Sequence, residues 1–173
     1  MQAKISSAWP AHAAPGPDSV PHFQMTRRVA VTADQAFAIA SDVGSYKEFL
    51  PLVTRSTIRG LKQVSDTKAH FAGDLQIRID KLNVTENFTS DVETDSNLRT
   101  VTATSSDGPV KSLTAVWHIE PEGDAADVTI KVDYVLKSML LQLAAGRLVD
   151  YAAQKILNAF EERAALLYGA RSI

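Results

Sequence analysis

The feature that most constrains the fold is a change of periodicity near residue 138. Six strand-like segments precede this point, between residues 53 and 136, with no helical periodicity between them. From Met139 to about Tyr168 apolar residues recur at helical spacing, and Gly169 follows. Strands that succeed one another directly favour antiparallel meanders, because parallel strands need long crossover connections. The sequence therefore predicts an α+β domain in which an antiparallel sheet packs against one long C-terminal helix.

Turn residues delimit the strands, and one apolar stripe marks the helix. The strands are predicted over Val53 to Leu61, Lys68 to Ile79, Leu82 to Val92, Arg99 to Ser105, a segment with Leu113 to Ile119 that ends at Pro121, and Asp127 to Leu136. The predicted stripe of the helix contains Leu141, Ala145, Leu148, Ala152, Ile156, Ala159 or Phe160, Arg163 and Leu167.

One further strand and two short helices are predicted before this sheet. Loose alternation of apolar residues predicts a strand over Phe23 to Val31. Thr32 is a candidate N-cap with Gln35 three residues later, which is the spacing of a capping box. A second short helix is predicted over Ser45 to Phe49, since Pro51 disfavours helical geometry in the residue before it.

Composition limits the classes of function. The chain has 173 residues, with 18 Lys and Arg against 20 Asp and Glu, so its net charge is -2. This balance creates no general attraction to nucleic acid or anionic lipid, and we expect no DNA partner. The absence of cysteine excludes disulfides, zinc–thiolate sites and cysteine nucleophiles, and it suits a reducing cytoplasm.

The N-terminal segment differs in composition from the rest of the chain. Residues 1–21 contain four prolines and several small residues. They have neither the apolar region of a signal peptide nor the Arg-rich pattern of a transit peptide. We expect a disordered tail over residues 1–21 and a single domain over residues 22–173, with Met25 as an alternative natural start. No apolar run approaches the roughly 20 residues that a bilayer-spanning helix needs.

Three motifs give the chain a family resemblance. Residues 42–51, DVGSYKEFLP, look like the "DV..Y..FLP" signature of the coenzyme Q-binding branch of the START-like superfamily. Residues 108–113 followed by Trp117-His118-Ile119 resemble that branch's loop and tryptophan strand. The ends of the last strand, at residues 132–138, and of the helix, at residues 159–163, are similar as well.

The resemblance covers about Met25 to Gly169 and implies a helix-grip fold. In this superfamily, also called polyketide cyclase/dehydrase, a curved antiparallel sheet wraps the last helix and leaves a cavity. Some members of the branch bind ubiquinone or a related polyprenyl lipid and support respiration, whereas a bacterial relative is a toxin that blocks ribosomal subunit association. Distant members are aromatases or cyclases for polyketides. We therefore expect a ubiquinone-like lipid as ligand, with a ribosome-interacting module as the alternative and a cyclase ranked last.

A cavity of this kind would be lined by apolar residues of the sheet and the helix. Aromatic residues on four strands face a helix rich in alanine, which is compatible either with an unfilled cavity or with tight interdigitation. The resemblance favours the cavity. The expected ligand-binding residues are Phe49, Leu52, Phe71, Leu75, Val84, Phe88, Trp117, Tyr134, Leu141 and Leu148, with Lys111 near the head group.

Glu86 is the polar exception on these apolar faces, because it lies between Val84 and Phe88 on the same side of a strand. A buried carboxylate needs a partner. Strand twist or a bulge could expose it at the sheet edge. Alternatively, it accepts a hydrogen bond from a ligand head group or pairs with Arg147.

No residue pattern indicates catalysis. The four histidines have no metal-ligand spacing, and the chain has no phosphate-binding glycine loop or nucleophile elbow. We therefore predict a protein that is not an enzyme and uses no catalytic cofactor and no metal.

Two apolar clusters and several basic residues are candidates for contact with a membrane or a ribosome. The clusters are Phe49-Leu50-Pro51-Leu52 and Met139, Leu140, Leu141 and Leu143. They either cap the core or flank the cavity mouth, where Lys47, Arg55 and Lys137 could meet lipid phosphates. We accordingly expect a cytoplasmic protein with peripheral contact at the inner face of the inner membrane. Ribosome binding would instead need a basic surface, for which Arg27, Arg28, Lys47, Arg55 and Arg59 are candidates.

Overall fold

The computed structural model describes residues 22–169, except for the side chains of Ala144, Gly146 and Arg147. The elements in chain order are β1 (His22–Val29), α1 (Ala33–Ser41), a 3-10 turn (Val43–Glu48), β2 (Val53–Gln63), β3 (Lys68–Ile79), a 3-10 turn (Asp80–Leu82), β4 (Val84–Asp95), β5 (Thr100–Ser105), β6 (Val110–Glu122), β7 (Ala125–Leu136) and α2 (Met139–Tyr168). The expected tail at residues 1–21 lies outside the described residues.

The seven strands form one antiparallel sheet in the order β1-β7-β6-β5-β4-β3-β2. The strands from β2 to β7 are neighbours in chain order, and β1 pairs with β7 at one edge. The predicted α+β fold, a curved antiparallel sheet with a long C-terminal helix and short helices after the first strand, is confirmed. Several predicted boundaries differ from the observed ones by one to three residues, and the turn at Asp80–Leu82, for example, moves the start of β4 from Leu82 to Val84.

Local hydrogen bonds hold the short helices in place. Thr32 caps α1 with the predicted capping box, in which its hydroxyl accepts from the Gln35 amide and its own amide donates to the Gln35 side chain. The Ser56 hydroxyl donates to the Gly44 carbonyl over 2.7 Å and accepts from the Lys47 amide over 3.0 Å. A buried serine in β2 therefore attaches the 3-10 turn to the sheet.

Helix α2 packs tightly through its C-terminal half. Ala153, Leu157, Phe160 and Ala164 are all buried, which is the 3.6-residue spacing of one helix face. The predicted stripe lies one position earlier along this half, at Ala152, Ile156 and Arg163, and its last residue, Leu167, is exposed. Leu157 and Phe160 belong to the same core cluster as Ile39, Trp117 and Val128. This half of the helix is therefore part of the hydrophobic core.

The N-terminal half of α2 is held at its start and is otherwise less buried. The Ser138 hydroxyl caps the helix by accepting from the Leu141 amide, and the Gln142 side chain accepts from the Leu136 amide over 2.8 Å. Met139, Leu140 and Leu143 are almost fully exposed, at 79%, 77% and 79%. Among residues 22–169, no helix combines the length and the hydropathy that crossing a bilayer requires.

Candidate functional site

An inner chamber of about 240 Å³ lies between the concave face of the sheet and the middle of α2. Its wall includes Tyr46 and Leu50 next to the 3-10 turn, Trp117 on β6 and Ile156 on α2. Trp117 also stacks on Phe160, with the ring centroids 5.3 Å apart, so the packed half of α2 closes this end. The inner chamber is the deeper part of the site.

An outer chamber of about 270 Å³ lies beside the first half of α2. Its wall includes Val84 and Glu86 on β4, Tyr134 on β7, and Leu141 and Leu148 on α2. Exposed Leu82 lines it as well, so we take the end near the 3-10 turn Asp80–Leu82 as the mouth.

The two chambers are neighbours. Phe88, Leu113 and Val132 line both of them. Among the described residues, these three side chains are the ones that both walls share, so they separate the two spaces. Ligand pockets for small molecules usually have volumes of roughly 300–1,000 Å³, which the two chambers reach only in combination.

Strand register explains why these residues meet. In antiparallel pairing, residues directly opposite one another project to the same face, and Leu75 pairs with Phe88 as Leu113 pairs with Tyr134. Small residues keep the space open, among them Ala115 on β6. The positions that face the outer chamber from α2 include Ala145 and Ala152, which are too short to reach the sheet.

The turn between β5 and β6 covers one side of the outer chamber. Gly108 has φ +61° in this turn, and a Cβ added there would lie 2.5 Å from the carbonyl oxygen of Asn87. Asp107 accepts a hydrogen bond from the Thr89 amide over 3.0 Å. Glycine at position 108 thus allows the turn to lie against β4, which brings Pro109 into the chamber wall.

Polar groups are rare in both walls. The Tyr46 hydroxyl donates to the backbone carbonyl of Ala40, and burial raises the pKa of this phenol well above its usual range. Burial, followed by the nearby Asp150 carboxylate, also raises the pKa of Tyr134. Glu86 is half-buried in the wall of the outer chamber. Across residues 22–169, no group of three or more His, Cys, Asp or Glu side chains is arranged to hold a metal ion.

Seven of the eleven expected ligand-binding residues line a chamber. Leu75 and Trp117 line the inner one, and Phe88 lines both. The outer chamber is lined by Val84, Tyr134, Leu141 and Leu148. They therefore remain our candidates for ligand contact.

The other four lie elsewhere. Phe71 is buried in the core, and the Phe49 ring packs against Tyr46 and beneath the Arg163 guanidinium, whose carbon lies 5.3 Å from the ring centroid. Leu52 is half-buried, and its carbonyl accepts from the Arg78 amide. Lys111 is exposed at the shift of register between Val110 and Ser112. None of these four side chains forms part of either chamber wall as described.

Several wall residues were not among the expected site residues. They include Val43, Tyr46, Leu50, Val53, Ile77, Leu113, Ile130, Val132, Val149 and Ile156. Val43, Tyr46 and Leu50 are positions of the "DV..Y..FLP" signature, which was the available signal. For Leu113, Ile130 and Val132, the signal was strand alternation with Trp117 and Tyr134.

Comparisons with known proteins agree with this architecture. Residues 29–161 match the protein family described as polyketide cyclase/dehydrase and lipid transport. The chain is 29% identical over 153 residues to the ribosome association toxin RatA of Escherichia coli strain K12, which covers 88% of this chain and 92% of the relative. It is 28% identical over 150 residues to the mitochondrial coenzyme Q-binding protein COQ10 of Dictyostelium discoideum, which covers 84% of this chain and 70% of the relative.

Solved structures share the fold. An 18 kDa protein of Caulobacter crescentus, CC1736, has 30% sequence identity and a TM-score of 0.73, covering 87% of this chain and 99% of that chain. The Zhui aromatase/cyclase of Streptomyces sp. R1128 has a TM-score of 0.72 at 16% identity, covering 84% of this chain and 94% of that chain. At that identity the second likeness shows the fold alone.

Proposed function

The chain belongs to the polyketide cyclase/dehydrase and lipid transport family, and from that premise we propose that it binds a polyprenyl quinone such as ubiquinone. The observation that carries the proposal is the pair of adjacent apolar chambers between the sheet and α2. The relative named as a coenzyme Q-binding protein supports the choice of ligand class. A flexible isoprenoid chain can bend past Phe88 and occupy both spaces.

Burial of the tail would supply most of the affinity. Each 100 Å² of apolar surface removed from water is worth about 2.5 kcal/mol before the costs of association. The walls around Leu75, Val132 and Ile156 offer this surface without directional contacts. We therefore expect tight binding of tails with different lengths, and selectivity only at the head group.

We also propose that the protein carries its ligand without transforming it. General acid–base catalysis needs a positioned proton donor and acceptor at the reacting atoms. In the described walls, the Tyr46 hydroxyl is already bonded to the Ala40 carbonyl. Glu86 and Tyr134 lie on β4 and β7, and no hydrogen bond among the described residues joins them. We propose that such a carrier delivers the quinone for use in respiration.

The mouth of the outer chamber suits contact with a membrane. Met139, Leu140 and Leu143 present exposed apolar side chains on the first turns of α2, and Leu82 lies across the chamber from that helix. Lys137 lies two residues before the helix and can meet lipid phosphates. We propose that the protein lies peripherally at the inner face of the inner membrane, in the cytoplasm, with this mouth against the lipid.

Lipid extraction and native mass spectrometry of the purified protein test the proposal. We expect a co-purifying polyprenyl quinone that is absent from a Leu148→Lys variant, because an unpaired ammonium in the outer chamber costs several kcal/mol. Lys111→Ala, at an exposed site on β6, is the control and should retain the ligand. If Leu148→Lys folds by circular dichroism and still binds as well as the parent, the proposal is wrong.

Ribosome binding is the second candidate, because relatives at 27–29% identity are named ribosome association toxins. The candidate basic surface is weakened by pairing, since Arg27, Arg28 and Arg59 each form an ion pair with a carboxylate. We expect only weak, salt-sensitive sedimentation with ribosomal subunits. Tight binding to one subunit at physiological salt would favour this candidate over lipid binding.

A further inference from the structure

Two lysines converge on the ring of Tyr151, in the N-terminal half of α2. Lys81, in the 3-10 turn between β3 and β4, and Lys155, about one helical turn after the tyrosine, each place the Nζ atom 5.0 Å from the centroid of that ring. Both lysines are exposed, as is 47% of the surface of Tyr151. The cluster therefore connects the turn to the helix at the surface of the molecule, where a partner can reach it.

Neither ammonium group of this cluster has an acidic partner. Among residues 22–169, no ion pair joins Lys81 or Lys155 to a carboxylate, and the neighbouring Asp80 is bonded to Arg78 instead, over 2.6 Å. A hydrogen bond with Lys155, and then the charges of Lys155 and Lys81, hold the pKa of Tyr151 below its usual value. An anion near the phenol oxygen can accept hydrogen bonds from these flexible side chains.

The cluster lies beside the mouth of the outer chamber. Lys81 is followed by Leu82 and Tyr151 by Ala152, and both of these neighbours line that chamber. Exposed Leu140 precedes Tyr151 by eleven residues, which is about three helical turns, so the two lie on one side of α2. An exposed leucine gains free energy only by leaving water, so this combination fits a lipid surface better than a dissolved anion.

We propose that Lys81, Tyr151 and Lys155 bind the phosphate group of an anionic phospholipid, so that the mouth of the outer chamber docks on negatively charged membranes. This inference rests on the membrane contact in the proposed function and specifies the lipid that makes it. The two lysines bind the phosphate as point charges and the phenol donates to it, while Leu140 and Leu143 enter the apolar layer. In this orientation an apolar ligand passes between the bilayer and the chamber without crossing bulk water.

Co-sedimentation with two kinds of vesicle tests the site: phosphatidylcholine alone, and phosphatidylcholine mixed with phosphatidylglycerol. At physiological salt the parent protein should bind the mixed vesicles about twentyfold more tightly, because each lysine at an anionic surface raises the affinity roughly fivefold. Lys81→Gln and Lys155→Gln should each weaken binding to the mixed vesicles about fivefold and leave binding to pure phosphatidylcholine unchanged. Tyr151→Phe, which keeps the ring and removes the O–H donor, should weaken it less.

Lys62→Gln is the matched control. Lys62 is likewise exposed and has no ion pair among the described residues, but it pairs in register with His70 near the start of β3, whereas Lys81 follows the end of that strand. The control should bind both kinds of vesicle as the parent does. Equal binding of the parent to the two kinds of vesicle, or an equal loss in Lys62→Gln, overturns the inference.

Two further measurements separate this site from the other proposals. The lysine variants should still co-purify with a quinone, since neither lysine belongs to a chamber wall as described. A parent protein without quinone would overturn the proposed ligand and leave the vesicle test intact. If the double variant Lys81→Gln/Lys155→Gln loses binding to ribosomal subunits and keeps its preference for mixed vesicles, the cluster binds RNA phosphates and the inference is wrong.

Discussion

The two halves of α2 perform different tasks on one continuous helix. In the C-terminal half, Leu157 and Phe160 have 0% and 1% of their surface exposed, and Phe160 stacks on Trp117. In the N-terminal half, Leu141 and Leu148 border an open chamber. Fold stability and the capacity to bind a ligand are therefore separated along the length of one helix.

Side-chain size and end contacts explain why the open half does not collapse onto the sheet. Ala145 and Ala152 face the outer chamber, whereas the packed half presents a leucine and a phenylalanine that reach the sheet. The Gln142 side chain accepts a hydrogen bond from the Leu136 amide of β7. This bond fixes the distance between the start of the helix and the end of that strand. The helix is thus supported at both ends of the cavity.

The largest expected difference is in the stability lost when either of two leucines, nine positions apart on this helix, is replaced by alanine. Leu157→Ala should lower the free energy of unfolding by about 3–5 kcal/mol, because it opens a void in a fully packed site. Leu148→Ala should lower it by about 1 kcal/mol or less, because its side chain already borders empty space. Urea unfolding of both variants measures the difference. Equal losses would show that the two halves are packed alike.

A smaller effect separates two neighbouring alanines. Ala153→Leu should lower the free energy of unfolding by about 1–3 kcal/mol, because the larger side chain overpacks a site that is 4% exposed. Ala152→Leu should change the free energy of unfolding little, since the leucine side chain can extend into the outer chamber. The same substitution should weaken ligand binding by filling the site. A severe loss of stability in Ala152→Leu would contradict the assignment of open space there.

The smallest effect concerns local opening of the helix without any substitution. Amide hydrogens between residues 142 and 152 should exchange about tenfold faster than those between residues 153 and 164, because fewer apolar contacts hold the first segment. A bound lipid should slow exchange mainly in the first segment. Hydrogen exchange followed by mass spectrometry resolves the two segments, and uniform protection along α2 would remove the distinction.

Much of the fold could be predicted because the spacing of apolar residues along a short segment indicates whether that segment is a helix or a strand. The bounds of β3 and the start of α2 were predicted to the residue, the end of α2 was predicted near Tyr168, and the capping box at Thr32 and Gln35 is present. The turn at Asp80–Leu82 was missed because three residues of 3-10 helix carry no periodic signal. The exposure of Leu167 was missed because an apolar stripe in the sequence does not show how far the elements that pack against the helix extend along it.

The site was harder to predict than the fold. Strand alternation indicated Phe88, Trp117 and Tyr134, which line the chambers, but it could not show that Phe71 on the same face is part of the core. That distinction depends on what lies opposite each residue, which is a property of helix placement. The choice between a cavity and tight interdigitation likewise depended on distances that no sequence pattern contains.

Fluorescence of Trp117 reports directly on ligand binding between the sheet and α2. The chain has two tryptophans, and Trp9→Phe leaves Trp117, in the wall of the inner chamber, as the single reporter. Titration with a decyl-substituted benzoquinone should quench its emission saturably at one ligand per chain, and Leu148→Lys should abolish the saturable component. Quenching that rises without saturation, or that is the same in a folded Leu148→Lys protein, would contradict ligand binding between the sheet and α2.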